Sequence, residues 1–265
     1  FFKQKTAYEI PKRDWSSDVC SSDLHFVHGD AALTLDALAD ALEGRTQVDR
    51  GFQAEVLAAR RACEALVDET LGPYAALKQA LAEQAGPSLW WVRDITLSNS
   101  MWGNRAPMLD HPRAGVHALG GGIGQGLAMA IGTSLADQLH ALGRRTVALV
   151  GDGGFMLNVG ELACAVQERA NLIVLLMNDQ RYGVIRNIQD DLYGSRHCYV
   201  DLHTPRFDQF CASLGAAYHR LDHPSRAAEV LAAAFRQSGP VVVEIDMQAW
   251  GPFAAKFAGP MLKKD

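Results

Sequence analysis

The stretch that decides the fold runs from residue 147 to residue 188 and reads VALVGDGGFMLNVGELACAVQERANLIVLLMNDQRYGVIRNI. Its first apolar residues belong to a predicted strand, 146–150, and Gly151-Asp152-Gly153-Gly154 follows directly. A second apolar run, 172–177, contains no polar residue, as expected of a strand that is covered on both faces. Asn178 and Asp179 come directly after it. Two predicted strands therefore each end on an acidic or amide side chain.

The spacing between these two motifs predicts that they meet in space. Between Gly153 and Asn178 lie 24 residues, which is about the length of one crossover helix and one strand. Because such a crossover makes the two strands parallel, their carboxyl ends share one edge of the sheet. The sequence therefore predicts that Asp152 and Asp179 lie on adjacent loops.

The residue types at this edge suit a charged ligand. The glycines allow close approach of the backbone and present N–H groups to an anion, and a helix that follows adds the positive end of its dipole. Asp152 and Asp179 offer hard oxygens to a divalent cation. Together they fit a metal–diphosphate complex better than a bare anion. The alternatives are a turn or helix-cap role for Asp152 and a solvated turn for Asp179.

The rest of the chain alternates between strands and helices. The predicted strands are 89–95, 146–150, 172–177 and 241–247. The predicted helices are 52–71, 74–84, 159–169, 207–214 and 225–237, with a glycine-rich turn that leads into a helix over 120–135. This alternation predicts an α/β fold, in which a parallel sheet has helices on both faces and binds its ligand at the carboxyl ends of its strands.

Composition excludes several classes of partner. Lys plus Arg is 25 and Asp plus Glu is 30, so the net charge is −5, and clustered basic residues for binding nucleic acid are not expected. The five cysteines are odd in number and contain no C-x-x-C pair, which favours a reducing cytoplasm over a disulfide framework or a zinc site. No apolar run reaches the length of a membrane span.

Two further segments carry candidate binding residues. Residues 119–126 read LGGGIGQG, which matches neither the dinucleotide-binding nor the P-loop pattern. The short polar side chains of Ser98 and Asn99 follow the first predicted strand and can bond phosphate or substrate. A helix cap or a loop cluster explains this pair equally well.

The pattern from Gly151 to Asp179 resembles the cofactor signature of thiamine-diphosphate-dependent enzymes. In that signature a Gly-Asp-Gly motif is followed, after about 25 residues, by an Asn-Asn pair or a related one. The segments 156–162 and 182–186 are similar to those of the acetolactate synthase and benzoylformate decarboxylase branch. The resemblance covers roughly residues 89–247. It implies the thiamine-diphosphate-binding fold, with thiamine diphosphate and Mg²⁺ as cofactors.

For the metal, the resemblance implies Asp152, Asp179 and the backbone carbonyl of Arg181 as ligands. The amides of Gly153 and Gly154 would hold the diphosphate. The chain has Asp179 where the family has a second asparagine. This departure adds a negative charge, which would either tighten metal binding or shift the ligand role to Asn178.

For the organic part of the cofactor, the resemblance implies that bulky Ile123 forces a bent conformation and that the Gly121 carbonyl accepts from the pyrimidine amino group. The alternative is that Ile123 belongs to the core. His117 is a possible substrate-facing residue. The full set of implied cofactor-binding residues is Ser98, Asn99, Gly121, Gly122, Ile123, Gly151, Asp152, Gly153, Gly154, Asp179, Tyr182, Gly183, Val184 and Ile185.

The implied activity is decarboxylation of a 2-oxo acid or an acetolactate synthase-like carboligation. In this family an activating glutamate comes from an N-terminal pyrimidine-binding domain, usually that of a partner subunit. Such a domain would lie upstream of His25. We therefore expect the chain to be the C-terminal part of a longer homo-oligomeric enzyme and to be inactive alone.

The expected domain organisation follows from the same resemblance. Residues 1–24 resemble a translated sequencing-adapter tract and are interpreted as a non-native or disordered leader. Residues 25–45 are interpreted as a remnant of a central domain, 46–250 as the thiamine-diphosphate-binding domain, and 251–265 as a C-terminal tail that folds over the site.

Three other interpretations stay open. The chain could be the diphosphate-binding subunit of a naturally split 2-oxo acid decarboxylase, such as the β-type chain of sulfopyruvate decarboxylase. It could be a non-catalytic protein that keeps the fold. The least specific interpretation is a generic nucleotide-binding α/β domain.

Overall fold

A computed structural model describes residues 27–47, 49 and 51–257. The predicted leader and the last part of the predicted tail, residues 258–265, lie outside these residues. The chain divides into two compact units, Phe1–Ala58 and Ala59–Asp265. The predicted domain boundaries at 45 and 250 stay predictions.

The first unit contains helix α1 (Ala31–Leu42). Its N-cap is Asp30, whose side chain accepts a hydrogen bond from the backbone N–H of Leu33 at 3.1 Å. This cap satisfies one of the amide groups that the first turn of a helix leaves free.

The second unit is built on a six-stranded sheet in which all neighbouring strands are parallel. The strand order is β2-β1-β3-β4-β6-β5. The strands are β1 (Leu89–Arg93), β2 (Gly115–His117), β3 (Arg145–Gly151), β4 (Leu172–Asn178), β5 (Ala217–Leu221) and β6 (Val241–Asp246). This architecture confirms the predicted α/β class.

The helices connect and cover these strands. They are α2 (Phe52–Leu71), within which the division after Ala58 falls, α3 (Ala75–Ala85), α4 (Gly126–His140), α5 (Asp152–Leu157), α6 (Glu161–Gln167), α7 (Gly183–Tyr193), α8 (Phe207–Leu214), α9 (Ala227–Arg236) and α10 (Met247–Trp250). The helix predicted over 159–169 is shorter at both ends, and the glycines at 151–154 open a separate short helix, α5.

Strand β4 shows how the sheet separates two layers of core. All seven of its residues are buried. Ile173, Leu175 and Met177 belong to a cluster with residues of α3 and α9, whereas Val174 and Leu176 belong to a cluster with residues of α4, α6 and α8. Because successive side chains of a strand point to opposite faces, an uninterrupted apolar run is what a sheet covered on both faces requires.

The register of the central strands positions the site. Gly151 of β3 pairs with Met177 of β4, so the residues that follow each strand emerge side by side. β1 lies on the other side of β3, and its last residue, Arg93, pairs with Leu149. The segments after β1, β3 and β4 therefore meet at one edge of the sheet. None of the helices in the described residues combines the length and apolar character that a membrane span needs.

Candidate functional site

A cavity of about 220 Å³ opens at this edge of the sheet. Its wall contains twelve of the residues that were predicted to bind the cofactor, together with Arg181. The twelve are Ser98, Gly121, Ile123, Gly151, Asp152, Gly153, Gly154, Asp179, Tyr182, Gly183, Val184 and Ile185. The fold thus gathers segments that are more than eighty residues apart in the chain, as the parallel crossovers predicted.

Three predicted residues do not line this cavity. Asn99 is buried in a π-helical turn (Asn99–Gly103), where its side-chain oxygen accepts from Nη1 of Arg93 at 3.2 Å. Gly122 belongs to the glycine-rich turn but lies outside the cavity wall. His117 is exposed on edge strand β2. Their ligand roles stay predictions, and the structure gives them no contact with the cavity.

Asp152 and Asp179 face each other in the cavity. Asp152 is 1% exposed, and one of its oxygens, Oδ2, is buried without a hydrogen-bond partner among the described residues. Burial raises the pKa of Asp152, and the negative charge of Asp179 raises it further. Burial also raises the pKa of Asp179, against the opposing charge of Arg181. Two adjacent carboxylates, one buried and one partly buried, are unfavourable when both are ionised, and a divalent cation between them would reduce that cost.

The backbone near Asp179 completes a donor set of oxygens. The N–H of Tyr182 donates to the Val200 carbonyl at 2.8 Å, and the N–H of Leu202 donates to the Gln180 carbonyl at 2.8 Å. The carbonyl of Arg181, between Gln180 and Tyr182, accepts no backbone hydrogen bond in the described chain. The described residues contain no group of three or more His, Cys, Asp or Glu side chains that could hold a metal. A magnesium ion here would therefore use two carboxylates and a carbonyl, and would take its remaining oxygens from a diphosphate and water. The residues present fit that ion.

The glycines of the motif keep this part of the cavity open. A Cβ added to Gly153 would lie 2.5 Å from the Tyr182 ring and 2.9 Å from Leu202, and one added to Gly183 would lie 2.6 Å from an oxygen of Asp179. Helix α5 begins at Asp152, so N–H groups of its first turn have no partner inside the helix. Bare backbone beside paired carboxylates is a suitable cradle for a metal-bound diphosphate.

The glycine-rich turn forms the opposite wall. Gly120, Gly121 and Gly124 have φ values of 65°, 71° and 89°, which L-residues with a side chain rarely adopt. Between them Ile123 lines the cavity and is 39% exposed, so it is not a core residue. The interpretation of Ile123 as core is therefore wrong, because the turn leaves the side chain partly exposed at the cavity.

Sequence reasoning missed two residues that shape this site. Met247, the first residue of α10, lines the cavity after strand β6. Asp94, directly after β1, is fully buried and accepts backbone hydrogen bonds from the glycine-rich turn at 3.0–3.2 Å. The strand was predicted over 89–95, which placed Asp94 inside it; because β1 ends at Arg93, Asp94 is instead an acid directly after a strand, the pattern that singled out Asp152.

The segment 251–257 borders a second cavity of about 570 Å³. This cavity shares Leu97, Asp179, Arg181, Gly183 and Met247 with the first. The segment is fixed to the second unit, since the hydroxyl of Tyr74 donates to the Gly251 carbonyl at 2.6 Å. The described part of the predicted tail thus lies beside the site.

Known proteins are similar to this chain in sequence and in fold. The chain is 34% identical over 230 residues to a probable 2-ketoarginine decarboxylase of Pseudomonas aeruginosa, covering 83% of this chain and 38% of that protein. It is 31% identical over 123 residues to an acetolactate synthase of Bacillus subtilis, covering 46% of this chain and 21% of that protein. The matched region is thus well under half of either relative.

A solved structure of benzoylformate decarboxylase from Polynucleobacter necessarius shares the fold, with a TM-score of 0.60 and 20% identity over 65% of this chain and 32% of that one. Residues 98–245, more than half of the chain, match the family described as thiamine pyrophosphate enzyme, C-terminal TPP binding domain. The matched residues include both halves of the Gly-Asp-Gly and Asn-Asp signature. The chain therefore belongs to the thiamine pyrophosphate enzymes, of which it contains the C-terminal cofactor-binding domain.

Proposed function

We propose that this chain binds thiamine diphosphate together with Mg²⁺ and serves an enzyme that decarboxylates a 2-oxo acid or joins it to a second carbonyl compound. The observation that carries the proposal is the pair of buried Asp152 and partly buried Asp179 at the cavity where the glycine cradle and Ile123 also lie. The relatives named as an acetolactate synthase and a 2-ketoarginine decarboxylase support the reaction class.

Different residues of the chain would bind the ion, the diphosphate and the organic part of the cofactor. Asp152, Asp179 and the Arg181 carbonyl would hold the ion, and the amide groups at the start of α5 would face the diphosphate. Ile123 would support the bend between the two rings of the cofactor. When bound, thiamine diphosphate supplies a thiazolium carbon that can add to a 2-oxo group and take up the electron pair released with carbon dioxide.

The test is a calorimetric titration of the full chain with thiamine diphosphate, with and without Mg²⁺. We expect binding that requires the ion and is reduced at least tenfold in Asp152→Asn, because the variant removes a charged ligand. Asp137→Asn is the matched control. Asp137 is also buried, but it accepts from Trp90 and the backbone of Arg144, and it does not line the cavity. Binding that is indifferent to Mg²⁺, or equal in Asp152→Asn, would contradict the proposal.

We propose in addition that a pyrimidine-binding domain, which carries the activating glutamate, is supplied by another polypeptide segment in a homo-oligomeric parent enzyme. The match to only part of each relative supports this. The chain with Mg²⁺ and thiamine diphosphate should then release almost no carbon dioxide from pyruvate, benzoylformate or 2-oxo-5-guanidinovalerate. Appreciable turnover by the chain alone would show that a second segment is not needed.

A further inference from the structure

Asp94 connects the first strand to the glycine-rich turn. It has no exposed surface, and it lies directly after β1. The backbone N of Gly124 lies 3.1 Å from Oδ1 of Asp94 and 3.0 Å from Oδ2 of Asp94, and its N–H donates to both. The N–H of Gly126 donates to Oδ2 of Asp94 at 3.2 Å. Oδ1 of Asp94 also accepts from the N–H of Ile95 at 2.7 Å. A single buried carboxylate thus binds two amides of the turn and one of its own segment.

The peptide groups that follow Ile123 are held from both sides. The N–H of Gly124 points to Asp94, and the carbonyl of Gly124 accepts from the side-chain amide of Asn158 at 2.6 Å. The φ of Gly124 is 89°, a value that helices and strands do not have. Gly124 therefore lies in a turn, outside the hydrogen-bond pattern of a helix or a sheet. Because side chains bind both the N–H and the carbonyl of Gly124, the position of the preceding residue, Ile123, is fixed.

The same carboxylate also contacts the segment predicted to hold the diphosphate. A Cβ added to Gly154 would lie 2.8 Å from Oδ2 of Asp94, and one added to Gly126 would lie 2.7 Å from the Cβ of Asp94. Gly154 is two residues from Asp152 in helix α5. Asp94 therefore lies where the wall that carries Ile123 meets the wall that carries Asp152.

We propose that Asp94 is the positioning residue that sets Ile123 at a fixed distance from the diphosphate-binding segment, and so selects the bent form of thiamine diphosphate. The inference rests on the proposed function. It adds a residue that does not line the cavity and acts through the backbone of Gly124 and Gly126.

A carboxylate is the side chain suited to this place. Both of its oxygens are acceptors, and every backbone group that it meets in the turn is a donor. An asparagine of the same shape would direct an NH₂ group at one of these donors. The variant Asp94→Asn should therefore release the turn with little change in volume.

The test compares two ligands of the full chain in the presence of Mg²⁺. Inorganic pyrophosphate needs only the diphosphate segment, whereas thiamine diphosphate also needs the turn. We expect Asp94→Asn to weaken thiamine diphosphate binding about tenfold, since hydrogen bonds to a charged group are lost, and to weaken pyrophosphate binding less than about threefold. Asp137→Asn, the buried aspartate away from the cavity, should leave the ratio of the two affinities unchanged.

A second variant keeps the inference testable if Asp94→Asn fails to fold. Asn158 is exposed, so Asn158→Ala should fold, and it should change the same ratio in the same direction to a smaller extent. Amide hydrogen exchange gives a readout without ligand, since Gly124 and Gly126 should exchange faster in Asp94→Asn while β4 stays protected.

Equal weakening for both ligands, or an unchanged ratio in both variants, would overturn the inference while leaving the proposed function intact. Unchanged exchange at Gly124 and Gly126 in a folded Asp94→Asn would overturn it as well. Failure of the unaltered chain to bind either ligand would instead contradict the proposed function, and the inference with it.

Discussion

Single residues at the cavity have roles that their surroundings decide. Asp152 and Asp179 are ordinary acids in the sequence, but burial raises the pKa of both, and the charge of Asp179 raises the pKa of Asp152 further. Arg181 lies close to the second of them, with its Nε 3.9 Å from Oδ2 of Asp179. Its positive charge partly offsets the negative charge that distinguishes Asp179 from the asparagine of the resembling family. The departure from the family pattern is therefore accompanied by a neighbouring cation.

At Gly153 the space for a side chain is already occupied. The added methyl group of Gly153→Ala would lie 2.5 Å from the ring of Tyr182, so this variant should lose about 1–3 kcal/mol of unfolding free energy and bind thiamine diphosphate more weakly. Gly132→Ala, also within a helix but with no atom within 4 Å of the new methyl group, should gain about 0.5–1 kcal/mol. Chemical denaturation measures both changes. A gain in stability for Gly153→Ala would contradict the close packing of the cradle.

Ile123 should matter for the cofactor and little for the fold. Because the side chain lines the cavity and is partly exposed, Ile123→Ala should reduce thiamine diphosphate affinity about tenfold, through the loss of about 1.5 kcal/mol of apolar contact. Its melting temperature should stay close to that of the unaltered chain. Leu119→Ala is the control, since Leu119 is 81% exposed at the start of the same turn and does not line the cavity. Equal loss of affinity in both variants would show that the turn, and not Ile123, matters.

At the scale of elements, the buried strands could be predicted and the exposed ones could not. β3, β4 and β6 each contain a run of apolar residues, and the residues of that run are buried on both faces of the sheet. β5 reads AYHRL and lies at one edge of the sheet, and β2 has three residues at the other edge. An edge strand has a neighbour on one side and is partly solvated, so its composition carries little of the signal that identifies a central strand.

The candidate site could be predicted wherever a motif directly follows a buried strand. Asp152, Asp179 and the intervening glycines were located because strand ends of a parallel sheet share one edge. Asn99, by contrast, turns towards Arg93, and Met247 lines the cavity from a strand end that carries no motif. Side-chain direction within an irregular turn depends on packing that the sequence pattern does not contain.

Helix α7 was also missed, although Ile185, Ile188 and Leu192 recur at helical spacing within it.

A buried polar cluster ties three strands together below the site. Glu244 of β6 is 8% exposed and accepts from Asn178 of β4 at 2.7 Å and from the hydroxyl of Tyr218 of β5 at 2.5 Å. Tyr218→Phe should therefore lower the unfolding free energy by about 1–3 kcal/mol, because it leaves a buried carboxylate oxygen without its donor. Tyr199→Phe should change it by less than about 0.5 kcal/mol, since Tyr199 is 94% exposed. Denaturation midpoints measure the difference, and equal effects would contradict the role of the cluster.

At the scale of the whole molecule, the residues of the cavity all belong to the second unit, Ala59–Asp265. The segment 251–257 belongs to it as well. The ring of Phe253 lies 4.2 Å from that of Tyr74, and the backbone N–H of Ala255 donates to the Thr70 carbonyl at 3.0 Å. The predicted tail is thus part of the packing of this unit in its described portion.

Truncation separates these contributions. Residues 46–265 should bind thiamine diphosphate with the affinity of the full chain, because they retain the whole cavity wall. Residues 46–250 should unfold at a lower temperature, since removal of Phe253 exposes apolar surface of Tyr74 and Trp250. Calorimetric titration and thermal unfolding measure the two effects. Loss of binding by residues 46–265 would mean that the first unit takes part in the site.

In the site that we propose, Asp152, Asp179 and the Arg181 carbonyl hold a divalent cation against the diphosphate of thiamine diphosphate. The most direct measurement is a crystal structure of the full chain grown with Mn²⁺ and thiamine diphosphate, in which anomalous scattering locates the ion. We expect one Mn²⁺ peak within about 2.5 Å of oxygens from all three residues and from the diphosphate. A diphosphate bound elsewhere, or an ion that lacks Asp152 among its ligands, would contradict the proposed site.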